Sequence, residues 1–332
     1  MQALLEPLLR AYTGAGSALA GPRLQVVLFE RVLAQQDPMV PREVDAAQFG
    51  RLMQAVQRVY DVLPFGEAAA ALREGRLPPR ALVVTFDDGY ADNETQALPI
   101  LRQLGLRGTF FISTGFLDGG RMWNDSIIEY LRRTTRTELE LSGLGLGRLR
   151  CSSLDERRAA IVAIIAKIKY MDFARREEAL DILGQACGRP ALPTDLMMRS
   201  EQVVSLHRAG MEIGAHTVNH PILTEVSDEV ARDEIVRGRE ALQQLTGSPV
   251  TTFAYPNGAP QRDYAARHVE MVRALGFSAA CSTAAGVSRQ GDDLFQLPRF
   301  TPWDRSVPRW LLRLGRVRHR VQFDRVAVAG PA

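Results

Sequence analysis

Six short apolar runs, each about a strand in length, recur along this chain with helix-patterned stretches between them, and that alternation is the strongest limit on its fold. The runs are LQVVLF (24–29), ALVVTF (81–86), GTFFIS (108–113), MEIGA (211–215), VTTFA (250–254) and FSAACS (277–282). Between them, AAQFGRLMQAVQRVY (46–60), ETQALPILRQLGL (94–106), DEVARDEIVRGREALQQLTG (228–247) and AARHVEMVRALGF (265–277) space apolar residues three and four apart, with Gly247 as a helix stop. Strand, helix, strand in alternation predicts a mainly parallel sheet with helices packed outside. From about 120 to 200 the rhythm breaks. The stretch SSLDERRAAIVAIIAKIKYMDFARREEALDILGQACG is helical by period and shows no clear strand, so a helical insertion is expected, either covering one mouth of the sheet or standing as a solubilising appendage.

Composition narrows the function classes. A chain of 332 residues with 46% hydrophobic content can bury a large core, and a net charge of +3 gives no global electrostatic case for nucleic acid. Cys151, Cys187 and Cys281 are odd in number and scattered, which argues against a disulfide framework and shows no zinc-knuckle spacing. The N-terminal MQALLEPLLRAYTGAGSALAG has no basic start and is interrupted by Glu6, so it reads as an amphipathic helix over 1–20, not a signal peptide. No run reaches the roughly 18 apolar residues of a membrane span. A soluble, cytoplasmic protein is therefore expected. Lys167 and Lys169 are the only lysines in an arginine-rich chain, a pattern read as coding bias.

The run ALVVTF leads straight into DDGYADN, placing Asp87 and Asp88 side by side at the end of a strand. Neighbouring carboxylates repel each other, so they are either solvated at a loop start or held by something positive. Ligands of parallel α/β folds gather at the carboxyl ends of strands. His216 closes MEIGAH at another such end, and His220 follows four residues later in HTVNHP. Each pair alone is a weak signal. Together, one carboxylate and two imidazoles form a hydrolytic zinc set with positions left for water and substrate. A cation there neutralises one aspartate as a ligand and leaves the other free to act beside it.

TFDDGYADN, HTVNHP and FAYPNG (253–258) resemble, in order and spacing, the first three motifs of the polysaccharide deacetylases, the family 4 carbohydrate esterases. The resemblance covers about residues 20–305. It implies an irregular (β/α) barrel with one divalent metal at the strand C-termini, zinc first, with cobalt, nickel or manganese as alternatives. By position it implies Asp87 as general base, Asp88, His216 and His220 as metal ligands, and the backbone N–H of Asn257 as oxyanion donor. Tyr90, Tyr255 and Pro256 are then expected against substrate. The implied reaction is hydrolysis of an N-acetyl group on an amino sugar of a glycan or glycan precursor.

Three positions depart from the family pattern. The arginine that usually opens the third motif and orients the base is Ala254 here, and Arg299 in LPRF (297–300) is offered as its substitute. The late histidine that protonates the leaving amine has no counterpart, since His207, His268 and His319 lie elsewhere. Glu30 stands where many relatives carry a histidine after the first strand, as an alternative acid or a site-facing residue.

RMWNDSIIEYLRR (121–133) resembles a stretch of a bacterial subgroup tied to exopolysaccharide or capsule production. Trp123 and Asn124 are candidates for sugar contact there, or for packing and helix capping. The tail RSVPRWLLRLGRVRHRVQF (305–323) is basic and amphipathic, suited to an anionic membrane surface or to packing on its own domain. The expected organisation is an N-terminal helix (1–20), a barrel domain (21–304) including the insertion, and a basic tail (305–332). Other readings keep the scaffold but change the bond to another amide or an O-acetyl ester, or make the chain a catalytically weakened glycan binder. An iron(II) oxygenase also uses two histidines and a carboxylate, but there the carboxylate lies close to the first histidine in sequence.

Overall fold

The structure, a computed structural model, describes residues 6–12, 21–300 and 304–328. Its main sheet contains seven strands among the described residues: β1 (Gln25–Phe29), β2 (Asp61–Val62), β3 (Ala81–Phe86), β4 (Thr109–Ile112), β5 (Glu212–Ala215), β6 (Thr252–Ala254) and β7 (Ala279–Cys281). All pair in parallel, in the order β1-β3-β4-β5-β6-β7, with β2 beside the start of β3. The curled sheet is joined edge to edge by a segment that is not itself a strand. Leu297 bridges Cys281, and Phe300 bridges Val27 with hydrogen bonds to Val26 O (2.8 Å) and from Leu28 N (3.2 Å).

Side chains alternate across each strand, so two separate cores form. Val27, Phe29, Val84, Phe86, Phe110 and Ile112 face outward and pack with Phe49, Leu52 and Val56 of helix α1 (Ala46–Val59). Val26, Val83, Phe111, Ala254, Cys281 and Leu297 share the other core with Phe65, Ala68 and Leu72 of the helix Phe65–Arg73. Strand β3 is buried at all six positions, as befits a central parallel strand. The α/β alternation expected from the apolar runs is therefore present, with strand ends trimmed by one or two residues.

The segment between β4 and β5 has a core of its own, in which Ile127, Leu131, Ile161, Ile164, Ile168 and Leu183 pack together. It contains helices α2 (Trp123–Arg133), α3 (Leu154–Ile168) and α4 (Phe173–Ala186). It also contains an antiparallel hairpin, Glu138–Glu140 with Arg148–Arg150, where the sequence reading expected no strand. Strands of three residues are too short to show a period of two, which is why periodicity missed them. Arg132 pairs with Asp37, Tyr170 donates to Asp263 (3.1 Å) and Arg158 Nε donates to Pro38 O (2.7 Å), so the segment is tied to the barrel at several points.

A helix runs over residues 6–12, whereas 1–5 and 13–20 of the expected N-terminal helix lie outside the described residues. In the tail, helix α6 (Val307–Val317) turns Trp310, Leu311 and Leu314 into the main outer core. The apolar face that a membrane would have taken is thus spent on the protein itself. Among the described residues no helix is long and apolar enough to cross a membrane.

Helix α5 (Asp228–Thr246), capped by Ser227 and stopped by left-handed Gly247 (φ 66°), lies against the chain that follows β5. At Gly238 an added Cβ would stand 2.7 Å from the backbone carbon and oxygen of Thr217. Alanine is intrinsically better than glycine inside a helix by about 1 kcal/mol, but overpacking costs about 1–3 kcal/mol. Gly238→Ala is expected to lower stability by about 1 kcal/mol, read as a lower urea midpoint. A variant more stable than the parent would show that this close contact does not exist.

Candidate metal centre

Strand β3 stops at the two aspartates because the backbone there turns left-handed, at Asp88 (φ 74°) and then at Gly89 (φ 94°). Gly89 leaves no room for a side chain, since a Cβ would meet Ile112 at 2.9 Å. The turn sends the two carboxylates in different directions. Asp87 continues the register of β3 and takes its N–H to Phe29 O at 3.0 Å. Asp88 accepts on its carbonyl from Ser113 N (3.2 Å) and presents its side chain to the histidines.

His216 directly follows β5, donating its N–H to Ile112 O. The path to His220 is not a helix turn but a loop with two left-handed residues, Thr217 (φ 67°) and His220 itself (φ 52°). Such conformations cost about 1–3 kcal/mol each in residues other than glycine. Glu234 of α5 holds the loop, accepting from Val218 N (2.9 Å), Asn219 N (2.7 Å) and Asn219 Nδ2 (2.7 Å). The Thr217 hydroxyl accepts from His220 N at 3.0 Å.

These constraints converge on one point. Asp88 Oδ1 lies 3.4 Å from His216 Nε2 and 3.3 Å from His220 Nε2, and the one-atom-per-residue donor set lies within 4.8 Å throughout. Two ligands of one tetrahedral zinc are about 3.4 Å apart. His216 Nδ1 must donate to the Ala254 carbonyl at 2.7 Å, which fixes the tautomer and turns the Nε2 lone pair toward Asp88. The donor set and its spacing fit a divalent cation. Burial opposes the charge on Asp88, but His220, His216 and Arg299 outweigh it and hold the carboxyl below its usual value. Burial likewise opposes charge on His216, yet Asp87 and Asp88 raise its pKa. Burial lowers His220 to about 4, offset only in part by Asp88.

Asp87 has its own partner. Arg299 Nη1 and Nη2 donate to its two oxygens at 2.7 Å each, a bidentate pair with both side chains buried. The guanidinium is otherwise satisfied by Ser282 O (2.9 Å) and Thr85 Oγ1 (3.4 Å), and lies over the Phe111 ring. It arrives on the segment that closes the sheet. Ala254, where the family pattern has arginine, is packed with Phe111 and Cys281.

The cleft over these groups has a volume of about 590 Å³ and is lined by Glu30, Asp87, Asp88, Trp123, Asn124, His216, His220, Asn257 and Arg299 among others. Asn257 sits in the left-handed region (φ 58°), and its N–H donates to no group among the described residues. Glu30 follows β1, whose last residue Phe29 is in register with Phe86, so Glu30 stands beside Asp87. Its side chain reaches cleft water yet is ringed by protein. That loss of bulk solvent, then Glu43, Asp88, Asp87 and Asp125, push its carboxyl well above the usual range.

Three expected substrate contacts lie elsewhere. Tyr90 is buried with Met122 and Met197, under the Arg31 guanidinium (4.8 Å). Tyr255 is buried and stacked on Tyr264 at 4.0 Å, and Pro256 is buried beside it. All three support the wall of the cleft and do not line it; a motif shows adjacency in sequence, not which face a side chain takes.

Sequence reasoning also missed residues that the structure places here. Asp92 accepts from Val32 N (3.0 Å) and Arg31 Nε (2.8 Å), and Asn93 Nδ2 donates to Glu30 O (3.0 Å), so the end of the DDGYADN run fixes the turn that carries Glu30. Lys169 and Ile165 of the insertion line the cleft. Lys169 had a signal, as one of only two lysines, that was read as composition.

Comparison with known proteins follows the same residues. The family model for polysaccharide deacetylases matches residues 74–141 and 173–280, more than half of the chain, and its segments contain both aspartates and both histidines. The chain belongs to the polysaccharide deacetylase family. YxkH of Bacillus subtilis (strain 168), assigned to the polysaccharide deacetylases, is 28% identical over 91 residues, 27% of this chain. That match spans about a third (32%) of the relative's length. In fold, the chain resembles Streptococcus pyogenes deacetylase PplD in complex with acetate, with a TM-score of 0.60 at 18% identity over 88% of this chain and 97% of that one. IcaB from Ammonifex degensii gives 0.54 at 20% identity over the same shares, 88% and 97%.

The Asp87–Arg299 pair sets a stability prediction. Removing one partner of a buried ion pair costs about 3–5 kcal/mol, so Arg299→Ala is expected to lose that much in urea unfolding. Arg299→Lys keeps the charge but not the fork and is expected to recover only part of it. An Arg299→Ala protein as stable as the parent would mean that Asp87 does not depend on this partner.

Proposed function

We propose that this deacetylase-family protein is a metal-dependent hydrolase that removes N-acetyl groups from amino sugars of a bacterial polysaccharide or its precursor. One observation carries the reading: a carboxylate–imidazole–imidazole donor set stands beside a second carboxylate that is separately locked by arginine. A pure binding protein has no use for that second, oriented carboxylate.

Asp88, His216 and His220 would hold the ion, and zinc is the expected one. When bound, a divalent cation supplies a water of lowered pKa and a Lewis acid for the acetyl carbonyl. The chain's own residues supply the rest. Asp87 Oδ2 lies 3.9 Å from His216 Nε2, next to the donor atoms, and is positioned to accept the proton of the attacking water. Arg299 prevents the Asp87 carboxylate from rotating away and is a positioning residue. The Asn257 N–H, a donor with no acceptor among the described residues, is assigned to the oxyanion that forms as water adds to the carbonyl carbon. As the C–N bond breaks, the departing amine needs a proton. Glu30 lines the cleft beside Asp87 with its carboxyl pushed above the usual range, and it is assigned the place of the missing late histidine.

The test is acetate release from N-acetylglucosamine oligomers by zinc-loaded protein, with O-acetylated xylan as the ester control. Loss of a general base costs about 10²–10⁴-fold in turnover, so Asp87→Asn is expected to retain zinc and lose at least a hundredfold in rate. Undiminished turnover by Asp87→Asn would overturn the assignment. Release from xylan alone would move the reaction to esters.

A further inference from the structure

We propose that the wall of the cleft contributed by the insertion is an anion subsite, in which Lys169 takes a carboxylate or phosphate group carried on the saccharide beside the acetamido sugar. The proposal rests on the deacetylase reading and adds to it a class of substrate.

The charges of the cleft are otherwise accounted for. Arg299 is paired with Asp87, Arg313 with Asp304, and the two histidines face Asp88. Among the described residues Lys169 lines the same cavity with no carboxylate at ion-pair distance, its Nζ lying 5.6 Å from the Tyr170 ring centre. A lysine at the end of a helix is favoured by the helix dipole alone, but that does not account for its place in the wall of the cleft.

A second cation lies against Trp123 of the same cleft. Arg176 of α4 is only 7% exposed, and its Nε has no hydrogen-bond partner. Its Nη2 donates to a carbonyl, Met171 O (3.1 Å), and its guanidinium lies 5.1 Å from the Trp123 ring centre, with no ion pair among the described residues. Buried arginines are normally paired. Here Glu177 and Asp172 act on the guanidinium without reaching ion-pair distance among the described residues, and it lies against Trp123, a residue that lines the cleft. A sugar stacked on Trp123 and carrying an anionic group toward Lys169 would complete both sets of contacts.

The location adds to the case. Residues 142–172 fall between the two segments that match the family model, and they include Lys169 and Ile165. This chain therefore places an additional, cationic wall on a site whose ligand set is the family's own. Such a wall changes which saccharide is held, not how its acetyl group is cleaved.

The test is a calorimetric titration of zinc-loaded Asp87→Asn protein, which does not consume its ligand, with and without Lys169→Gln. Three ligands are compared: a neutral N-acetylglucosamine oligomer, one with an adjacent glucuronate, and one with a reducing-end phosphate. At low salt at least one charged ligand is expected to bind about tenfold more tightly than the neutral one, the size of a charge-assisted contact. The preference should shrink as salt is raised and disappear in Lys169→Gln, with the neutral ligand unaffected. Whichever charged ligand is preferred identifies the source of the anion. Equal affinities, or a preference that survives Lys169→Gln, overturn the proposal while leaving the deacetylase reading in place. No binding of any oligomer overturns both.

Discussion

Two carboxylates in consecutive positions at the end of a buried strand cannot share one environment. The left-handed turn at Asp88 solves this by sending the two carboxylates to different partners. Asp87 is neutralised by a guanidinium from the segment that closes the sheet, and Asp88 faces two imidazoles from the end of β5. Much of the surrounding structure follows from keeping those partners in place. Closure of the sheet at Leu297–Phe300 delivers Arg299, and α5 clamps the histidine loop through Glu234 while packing beneath it at Gly238.

Strain is concentrated where the chemistry is. Asp88, Thr217, His220 and Asn257 all adopt left-handed backbone conformations that only glycine takes freely. The restraints against relaxation are local and specific: the Thr217 hydroxyl on His220 N, the Glu234 carboxylate on the loop amides, and the Thr283 hydroxyl on Asn257 O. Outside the site the barrel is held by ordinary apolar packing on both faces of the sheet, which provides the stability that these turns consume.

How much of this could be read from the sequence depended on whether the information was local. Six of the seven main-sheet strands among the described residues were legible because each is a dense apolar run, whereas the two-residue β2 carries an aspartate and gave no such signal; the ligand set was legible because Asp88, His216 and His220 sit in short motifs at strand ends. Arg299 was suggested only by its nearness to the last strand. That it closes the sheet without being in a strand depends on two bridges between distant segments. Tyr90 and Tyr255 look like substrate contacts in the motifs but turn under the cleft wall, an orientation set by the φ values of neighbouring residues. Lys169 could not be placed because its position in the cleft wall depends on how a helical segment folds back over the barrel. The tail showed its amphipathic period clearly, but nothing in that period distinguishes a membrane from the protein's own core.

The central claim is that one divalent cation is held by one carboxylate and two imidazoles. Zinc K-edge X-ray absorption on protein loaded at one equivalent reports those ligands directly. The account predicts stoichiometric binding, with two imidazole nitrogens and low-Z oxygen neighbours at about 2.0–2.2 Å. Failure to bind one equivalent, or a zinc shell without imidazole, would contradict it.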